Sequence, residues 1–248
     1  MVERSLAESR EKAQALIMAG EVFIDGQKAS KPGQLVAPES AIELTSKLRY
    51  VGRGGLKLEA ALEHFAIDVT ALVAADFGSS TGGFTDCLLQ HGAARVHAID
   101  VGTNQLDWRL RSDPRVAVHE GLNARYIELT DLGEPVDLAV CDVSFISATL
   151  ILPAMAKVLK PDGRIVGSAQ AEGSVVRAGE IVVLIKPQFE VGKGQVGKGG
   201  IVREPALHEA ACAKVRAAAE ELGFTTQLIP SPITGAEGNK EFLLYGSR

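Results

Sequence analysis

Val73-Ala-Ala-Asp76-Phe77-Gly78-Ser79-Ser80-Thr81-Gly82-Gly83-Phe84 reads as a short buried strand, a glycine-rich turn and the start of a helix. Glycine lets a backbone turn sharply and approach a ligand closely. The helix that follows, over Phe84–His91, offers free N–H groups in its first turn. On either side the pattern alternates. Leu56–Phe65 reads as a helix, Val96–Ile99 as a strand ending at Asp100, and Val136–Val140 as a strand running into Asp142. Ser147–Leu159 reads as a helix stopped by Lys160-Pro-Asp-Gly163, and Ile181–Ile185 as a β-branched strand before Lys186. Glu204–Leu222 reads as an alanine-rich helix and Glu241–Tyr245 as a last strand. Strands alternating with helices predict an α/β, Rossmann-like domain: a mainly parallel sheet with helices on both faces. Ile165-Val166 resembles the start of the strand before Lys186, so Gly167–Glu180 reads as an inserted loop or hairpin.

The glycine spacing is not the Gly-x-Gly-x-x-Gly of a dinucleotide site, and no Gly-Lys-Ser/Thr closes it as a phosphate loop requires. A turn with no pyrophosphate to hold suits S-adenosylmethionine, whose charged end is an amino acid. Asp76 is then expected to receive the ammonium group, and Asp100 to bind the ribose hydroxyls as an acidic residue does in nucleotide folds. Gly78, Ser79, Ser80, Thr81, Gly82 and Gly83 form the cradle, and Asn123 falls where a third loop would meet the adenine.

Three charged residues, Asp142, Lys186 and Glu241, stand at or beside strand ends, where open α/β sheets bind ligands; Lys57 joins them. A ribose hydroxyl is a poor nucleophile until its proton is removed. An amine accepts that proton once burial and a second cation lower its affinity for it, while carboxylates fix its geometry. The expected chemistry is therefore RNA 2′-O-methylation: Lys186 takes the proton, Asp142 and Glu241 orient it, and Lys57 steadies the oxyanion. A methyl sulfonium supplies the leaving group, a neutral thioether, so no metal is expected.

Composition bounds the rest. The chain has 248 residues, 46% apolar and 23% charged, with three cysteines in no metal-ligand spacing. No apolar run approaches the roughly 20 residues of a membrane span. The polar start shows no secretory region, and a cytoplasmic location is the expectation. A net charge of −5 opposes indiscriminate nucleic-acid binding but leaves room for local basic surface: Lys47, Arg49, Arg53 and Lys57 stand without an acid among them, and Lys193, Lys198 and Arg203 form a second cluster. The chain divides into 1–46, a linker 47–55 rich in Arg and Gly, and 56–248.

In the first part, Ser9 can cap a helix carrying Ala13, Leu16 and Ile17, Gly20 suits its stop, and Val22-Phe-Ile24 with Asp25-Gly26 reads as a strand and hairpin turn. This small α+β pattern resembles the RNA-binding domain named after ribosomal protein S-four. The resemblance implies that Ser9, Arg10 and Lys12 face RNA phosphates, and the bases from Lys47 to Lys57, Arg49 and Arg53 among them, suggest that the track continues. A segment usual upstream in that domain does not precede Val2-Glu-Arg4, so the domain is expected to be incomplete or its start misassigned.

Taken together, Val51-Gly-Arg-Gly-Gly-Leu-Lys57-Leu, Asp76–Asp86, Cys141-Asp-Val-Ser-Phe-Ile-Ser147, Ile185-Lys-Pro-Gln-Phe-Glu190 and Gly238-Asn-Lys-Glu-Phe-Leu243 resemble the TlyA (hemolysin A) family along nearly the whole chain. The resemblance implies a catalytic domain similar to FtsJ-type methyltransferases, acting on cytidine in ribosomal RNA or a ribosomal subunit. It implies a Lys-Asp-Lys-Glu tetrad at Lys57, Asp142, Lys186 and Glu241, and an aromatic beside the cofactor at Phe145. Two other readings stay open. A base methyltransferase would need an Asn/Asp-Pro-Pro-aromatic segment, where Asp142-Val-Ser-Phe145 stands, or a nucleophilic cysteine, for which Cys141 is placed as a buried strand residue. A membrane-active hemolysin-like protein would need a span or a strongly amphipathic basic helix.

Overall fold

A computed structural model describes residues 1–248 except 5, 8, 19–21, 26, 38, 45–48, 162–163, 167–174, 178 and 236–237. Expectations for Gly20, Gly26, Lys47 and most of Gly167–Glu180 lie outside the described residues. The chain forms two compact units, Met1–Arg49 and Tyr50–Arg248.

In the smaller unit, helix α1 (Arg10–Met18) is followed by β1 (Val22–Ile24), β2 (Gln27–Lys28) and β3 (Ile42–Leu44), antiparallel in the order β2-β1-β3. Ser9 Oγ accepts from Lys12 N at 3.2 Å, which caps the first turn of α1. Ile24 pairs with Gln27, so β1 and β2 are joined by a two-residue turn. Asp25 ties that turn to the residue just before β3: Ala41 N donates to Asp25 Oδ1 at 2.8 Å.

The larger unit runs α2 (Gly54–His64), β4 (Val73–Phe77), α3 (Gly83–Gln90), β5 (Arg95–Asp100), α4 (Trp108–Arg111), β6 (Val116–Glu120), α5 (Leu129–Leu132), β7 (Leu138–Cys141) and α6 (Leu152–Val158). It continues with β8 (Arg164–Val166), β9 (Val175–Arg177), β10 (Glu180–Ile185), α7 (Pro187–Glu190), α8 (Pro205–Glu221), β11 (Thr225–Pro230) and β12 (Phe242–Ser247). Seven strands form one sheet in the order β11-β12-β10-β7-β4-β5-β6, parallel except at β12. Alternation of side chains along each strand supplies two cores. Ala75, Phe77, Ile181 and Val183 face one, with Leu152 and Met155 of α6 and Val215 of α8; Ala74, Val182 and Leu184 face the other, with Leu58 of α2 and Leu88 of α3.

Two expectations change. Arg164–Val166 does not begin the strand before Lys186; it pairs antiparallel with β9 in a separate two-stranded sheet, and the buried strand starts at Glu180. Local apolar character could not tell the two Ile-Val pairs apart, because only one of them finds a place in the main sheet. Of the residues read as a linker, Tyr50 is buried in the core of the larger unit and Gly54 already begins α2. Gly55 makes this possible: a Cβ there would fall 2.2 Å from Tyr50 Cγ.

Candidate active site

The carboxyl ends of β4, β5, β7 and β10 lie along one edge of the sheet, because these strands are parallel. Strand β12 runs the opposite way, so its first residues arrive at that same edge. This topology gathers the turn after Phe77, Asp100, Asp142, Lys186 and Glu241 from distant parts of the chain.

The turn wraps a tight corner. Gly78 has φ +84°, and a Cβ on it would lie 3.0 Å from Val143 Cγ1 and 3.1 Å from Asp142 O. Only glycine is comfortable there. Asp100 fixes the turn from outside: its Oδ2 accepts from Ser80 N at 2.8 Å and its Oδ1 from Gly102 N at 2.7 Å. A cavity of 460 Å³ is lined by Gly78, Ser80, Asp100, Asn123, Asp142 and Phe145, among others. It adjoins a smaller one of 160 Å³ lined by Ser79, Thr81, Gly83, Arg53 and Lys186, and the two share Gly78, Ser80, Asp142 and Ser144. Asn123 also caps a short turn of helix, accepting from Arg125 N at 3.1 Å.

Asp76 and Gly82 sit differently from the rest of the cradle and line neither cavity. Gly82 faces Leu106 and Leu110. Asp76 is fully buried, and its Oδ2 accepts from Thr85 N at 3.0 Å and Thr85 Oγ1 at 2.7 Å, which anchors the start of α3. Its Oδ1 has no hydrogen-bond partner among the described residues. Burial pushes this carboxyl up to about 7, with the neighbouring charges of Asp142 and Asp100 adding to the rise against the Thr85 hydrogen bonds.

The four charged residues form two ion pairs. Lys57 Nζ lies 2.5 Å from Glu241 Oε2, with side chains only 9% and 3% exposed. Lys186 Nζ lies 2.6 Å from Asp142 Oδ1 and donates to Ser144 Oγ at 2.8 Å. A third cavity, 410 Å³, is lined by Lys57, Ser144, Phe145, Lys186, Gln188, Phe189, Val196, Gly200 and Glu241. Ser144 lines all three cavities, and Lys186 lines both this one and the small one beside the glycine turn. A separate cavity of 490 Å³ between α8 and the β11–β12 end shares Glu241 alone with the set and lacks the glycine turn.

Phe145 is 92% exposed, has φ +65°, and its ring centroid lies 5.2 Å from that of Phe189. A left-handed conformation at a bulky residue costs about 1–3 kcal/mol and persists only where the surroundings impose it. The segment just after it is tied down by Glu190, whose carboxylate accepts from Ala148 N at 2.7 Å and from Ser147 Oγ, while Lys214 Nζ closes on it at 3.0 Å. Asn239 braces the opposite wall, accepting from Val202 N and donating to Gly200 O, each at 2.9 Å. Ser144, Glu190 and Asn239 all lie inside sequence segments singled out above, but polarity alone assigned them no task.

Of the residues expected to meet RNA, Arg10 and Lys12 are exposed on α1, while Ser9 is occupied with its cap. Arg49 is exposed. Arg53 donates to Thr234 O at 2.8 Å and lines the small cavity, so it belongs to the larger site. No group of three or more His, Cys, Asp or Glu able to hold a metal occurs among the described residues.

Asp100→Ala is expected to weaken binding of S-adenosylmethionine about tenfold to a hundredfold, since two hydrogen bonds to a charged acceptor vanish. Calorimetry would register this, and an unchanged affinity would remove Asp100 from the site.

Residues 50–248 match the FtsJ-like methyltransferase family and residues 1–42 match the S4 domain. The 16S/23S rRNA (cytidine-2′-O)-methyltransferase TlyA of Mycobacterium tuberculosis is 45% identical over 99% of this chain and 87% of its own length. Hemolysin A of Brachyspira hyodysenteriae is 41% identical over 96% of this chain and 93% of its own. The solved structure of a hemolysin candidate from Streptococcus thermophilus is 46% identical, superposes with a TM-score of 0.75, and covers 98% of this chain and 84% of that one.

Proposed function

The chain belongs to the FtsJ-like methyltransferase family, and on that footing we propose that it moves a methyl group from S-adenosylmethionine to the 2′-hydroxyl of a cytidine in ribosomal RNA. The observation that carries the reading is the shared wall at Ser144 and Lys186, where the cavity lined by the Lys57–Glu241 pair and by Lys186 meets the cavities of the glycine turn. An acceptor on one side and a donor on the other would meet at the Lys186 amine.

Three features support placing the cofactor by the turn. Gly78 leaves no side chain between ligand and backbone, Asp100 presents a carboxylate oriented by two N–H groups, and Asp76 keeps one buried oxygen unpartnered. That oxygen would complement an ammonium group, and Asp100 the ribose hydroxyls. When bound, the cofactor supplies a methyl group on a sulfonium, so transfer needs only an activated oxygen. Lys186 takes the proton from the 2′-hydroxyl, held in line by Asp142 and Ser144. Lys57, fixed by Glu241, faces the oxygen as negative charge develops on it. Phe145 and Phe189 give the third cavity two aromatic faces suited to an unstacked base.

Base methylation through a cysteine has no support in the geometry. Cys141 is fully buried in β7 and its thiol is pushed up to about 12, by burial above all. No described helix is long and apolar enough to cross a membrane. The substrate is ribosomal RNA, free or within a ribosomal subunit, and the site of action the cytoplasm. The small unit would grip RNA phosphates through Arg10 and Lys12, with Arg49 extending the track.

The test is methyl transfer to ribosomal RNA followed by nucleoside analysis. The expected product is 2′-O-methylcytidine. Reversing Arg10 and Lys12 to Glu should lower the yield and leave cofactor affinity unchanged. A methylated base, or no methylation with bound cofactor, would overturn the reading.

A further inference from the structure

Two segments meet beside the acceptor cavity: Asp142 to Ala148, which follows β7, and Lys186 to Glu190, which follows β10. They are joined at three levels. Lys186 Nζ reaches Asp142 Oδ1 at 2.6 Å and Ser144 Oγ at 2.8 Å. In the middle, the rings of Phe145 and Phe189 pack with centroids 5.2 Å apart. At the far end, the Glu190 carboxylate accepts from Ala148 N at 2.7 Å and from the Ser147 hydroxyl. The first two levels belong to the proposed chemistry. The third lines none of the three cavities, and the proton-handling scheme leaves it unused.

The Glu190 side chain is 2% exposed. A carboxylate so far from water is costly unless it is paired and hydrogen-bonded. Lys214 of α8 completes its shell, donating to Oε2 at 3.0 Å, to the Glu190 carbonyl at 3.0 Å and to Ser147 Oγ at 3.2 Å. Helix α8 buries Ala211 and Val215 in the core, so the clamp is anchored on the body of the larger unit. The loop that it holds is under tension. Phe145, at φ +65°, keeps a backbone conformation that lasts only where the structure around it over-determines it. Upstream, Asp142 N donates to Phe77 O at 3.0 Å; downstream, the anchor is Glu190. Ser144 lies between the two anchors and directly precedes the strained residue. Opening the downstream anchor lets Phe145 relax and draws Ser144 away from Lys186.

We infer that Glu190 is a positioning residue for methyl transfer: through Ser147 and Ala148 its carboxylate holds the Ser144 hydroxyl against the Lys186 amine, and so aims that amine at the 2′-hydroxyl. This rests on the ribose-methylation reading and adds a residue that touches neither substrate nor cofactor. Misplacing a reacting group by about 1 Å can cost on the order of a hundredfold in rate.

The experiment is single-turnover methyl transfer to ribosomal RNA at saturating cofactor over a series of RNA concentrations. Glu190→Gln keeps an acceptor for Ala148 N but turns amide protons toward Ser147 and Lys214, and should slow the maximal rate about tenfold; Glu190→Leu, with no acceptor, should slow it about a hundredfold. The RNA concentration for half-saturation should stay near that of the wild type, because orientation is lost and not binding. Ser144→Ala should also be slow, and adding Glu190→Gln to it should slow it little further, since the carboxylate acts through that hydroxyl. Chemical denaturation checks each fold; if Glu190→Leu does not fold, Glu190→Gln carries both comparisons. A wild-type maximal rate in folded Glu190→Gln or in Ser144→Ala overturns the proposal. So does full multiplication of their two effects, the mark of a clamp that acts elsewhere. Failure of the wild type to yield 2′-O-methylcytidine strikes the function reading itself, and that control separates the two.

Discussion

Lys186→Ala should slow single-turnover methyl transfer about 10²–10⁴-fold, the usual contribution of a positioned acid or base. The amine sits between Asp142 and Ser144 at the meeting of two cavities, and no other described amine reaches both. Lys186→Arg should fail to restore the rate, because a guanidinium stays protonated. Cofactor affinity should change little, since Asp100 and the glycine turn are untouched. The measurement is made at saturating cofactor with ribosomal RNA. Turnover near wild type in Lys186→Ala would end its role as proton acceptor and revive base methylation.

Glu241→Ala should be the most damaging change to stability, about 3–5 kcal/mol, because it strands the Lys57 charge in a nearly closed interior. Chemical denaturation would measure the loss. A double replacement, Lys57→Met with Glu241→Leu, separates two explanations. Swapping a buried ion pair for apolar side chains is often neutral or stabilising. The double variant should therefore recover most of the stability and none of the activity. Appreciable methyl transfer by a well-folded double variant would reduce the pair to a structural strut.

The strands that line both cores were legible because burial on both faces demands continuous apolar character: Val73–Phe77 was read to the residue, and Glu180–Ile185 to within one. Strands β6 and β11 were not read. They form the two edges of the sheet, and Thr225-Thr-Gln-Leu-Ile-Pro230 carries the mixed polarity that one-sided burial allows. Helices α4, α5 and α7 span four residues each, too short for a helical period to show. Asp142, Lys186 and Glu241 stand out because charge at the end of an apolar strand is conspicuous; Lys57, within α2, carries no such signal. Ser144, Glu190 and Asn239 did not stand out, since their significance depends on which distant loop faces them. Asp76 shows the reverse: its carboxylate looked like a ligand and proved first to be the anchor of α3.

Strand β12, seventh of the main sheet in chain order, takes an interior position between β10 and β11. Lys57 and Glu241, the buried ion pair of the proposed site, come from near opposite ends of the larger unit's sequence. Assembly therefore has a built-in checkpoint. Until the last strand inserts, β10 presents a bare hydrogen-bonding edge, the form of surface that recruits other chains into aggregates. The Lys57–Glu241 pair is also unmade during that interval. Closing so long a loop is slow for entropic reasons. Burial of the ion pair and cover for the β10 edge arrive in one step, and a lesion confined to this strand would forfeit both together.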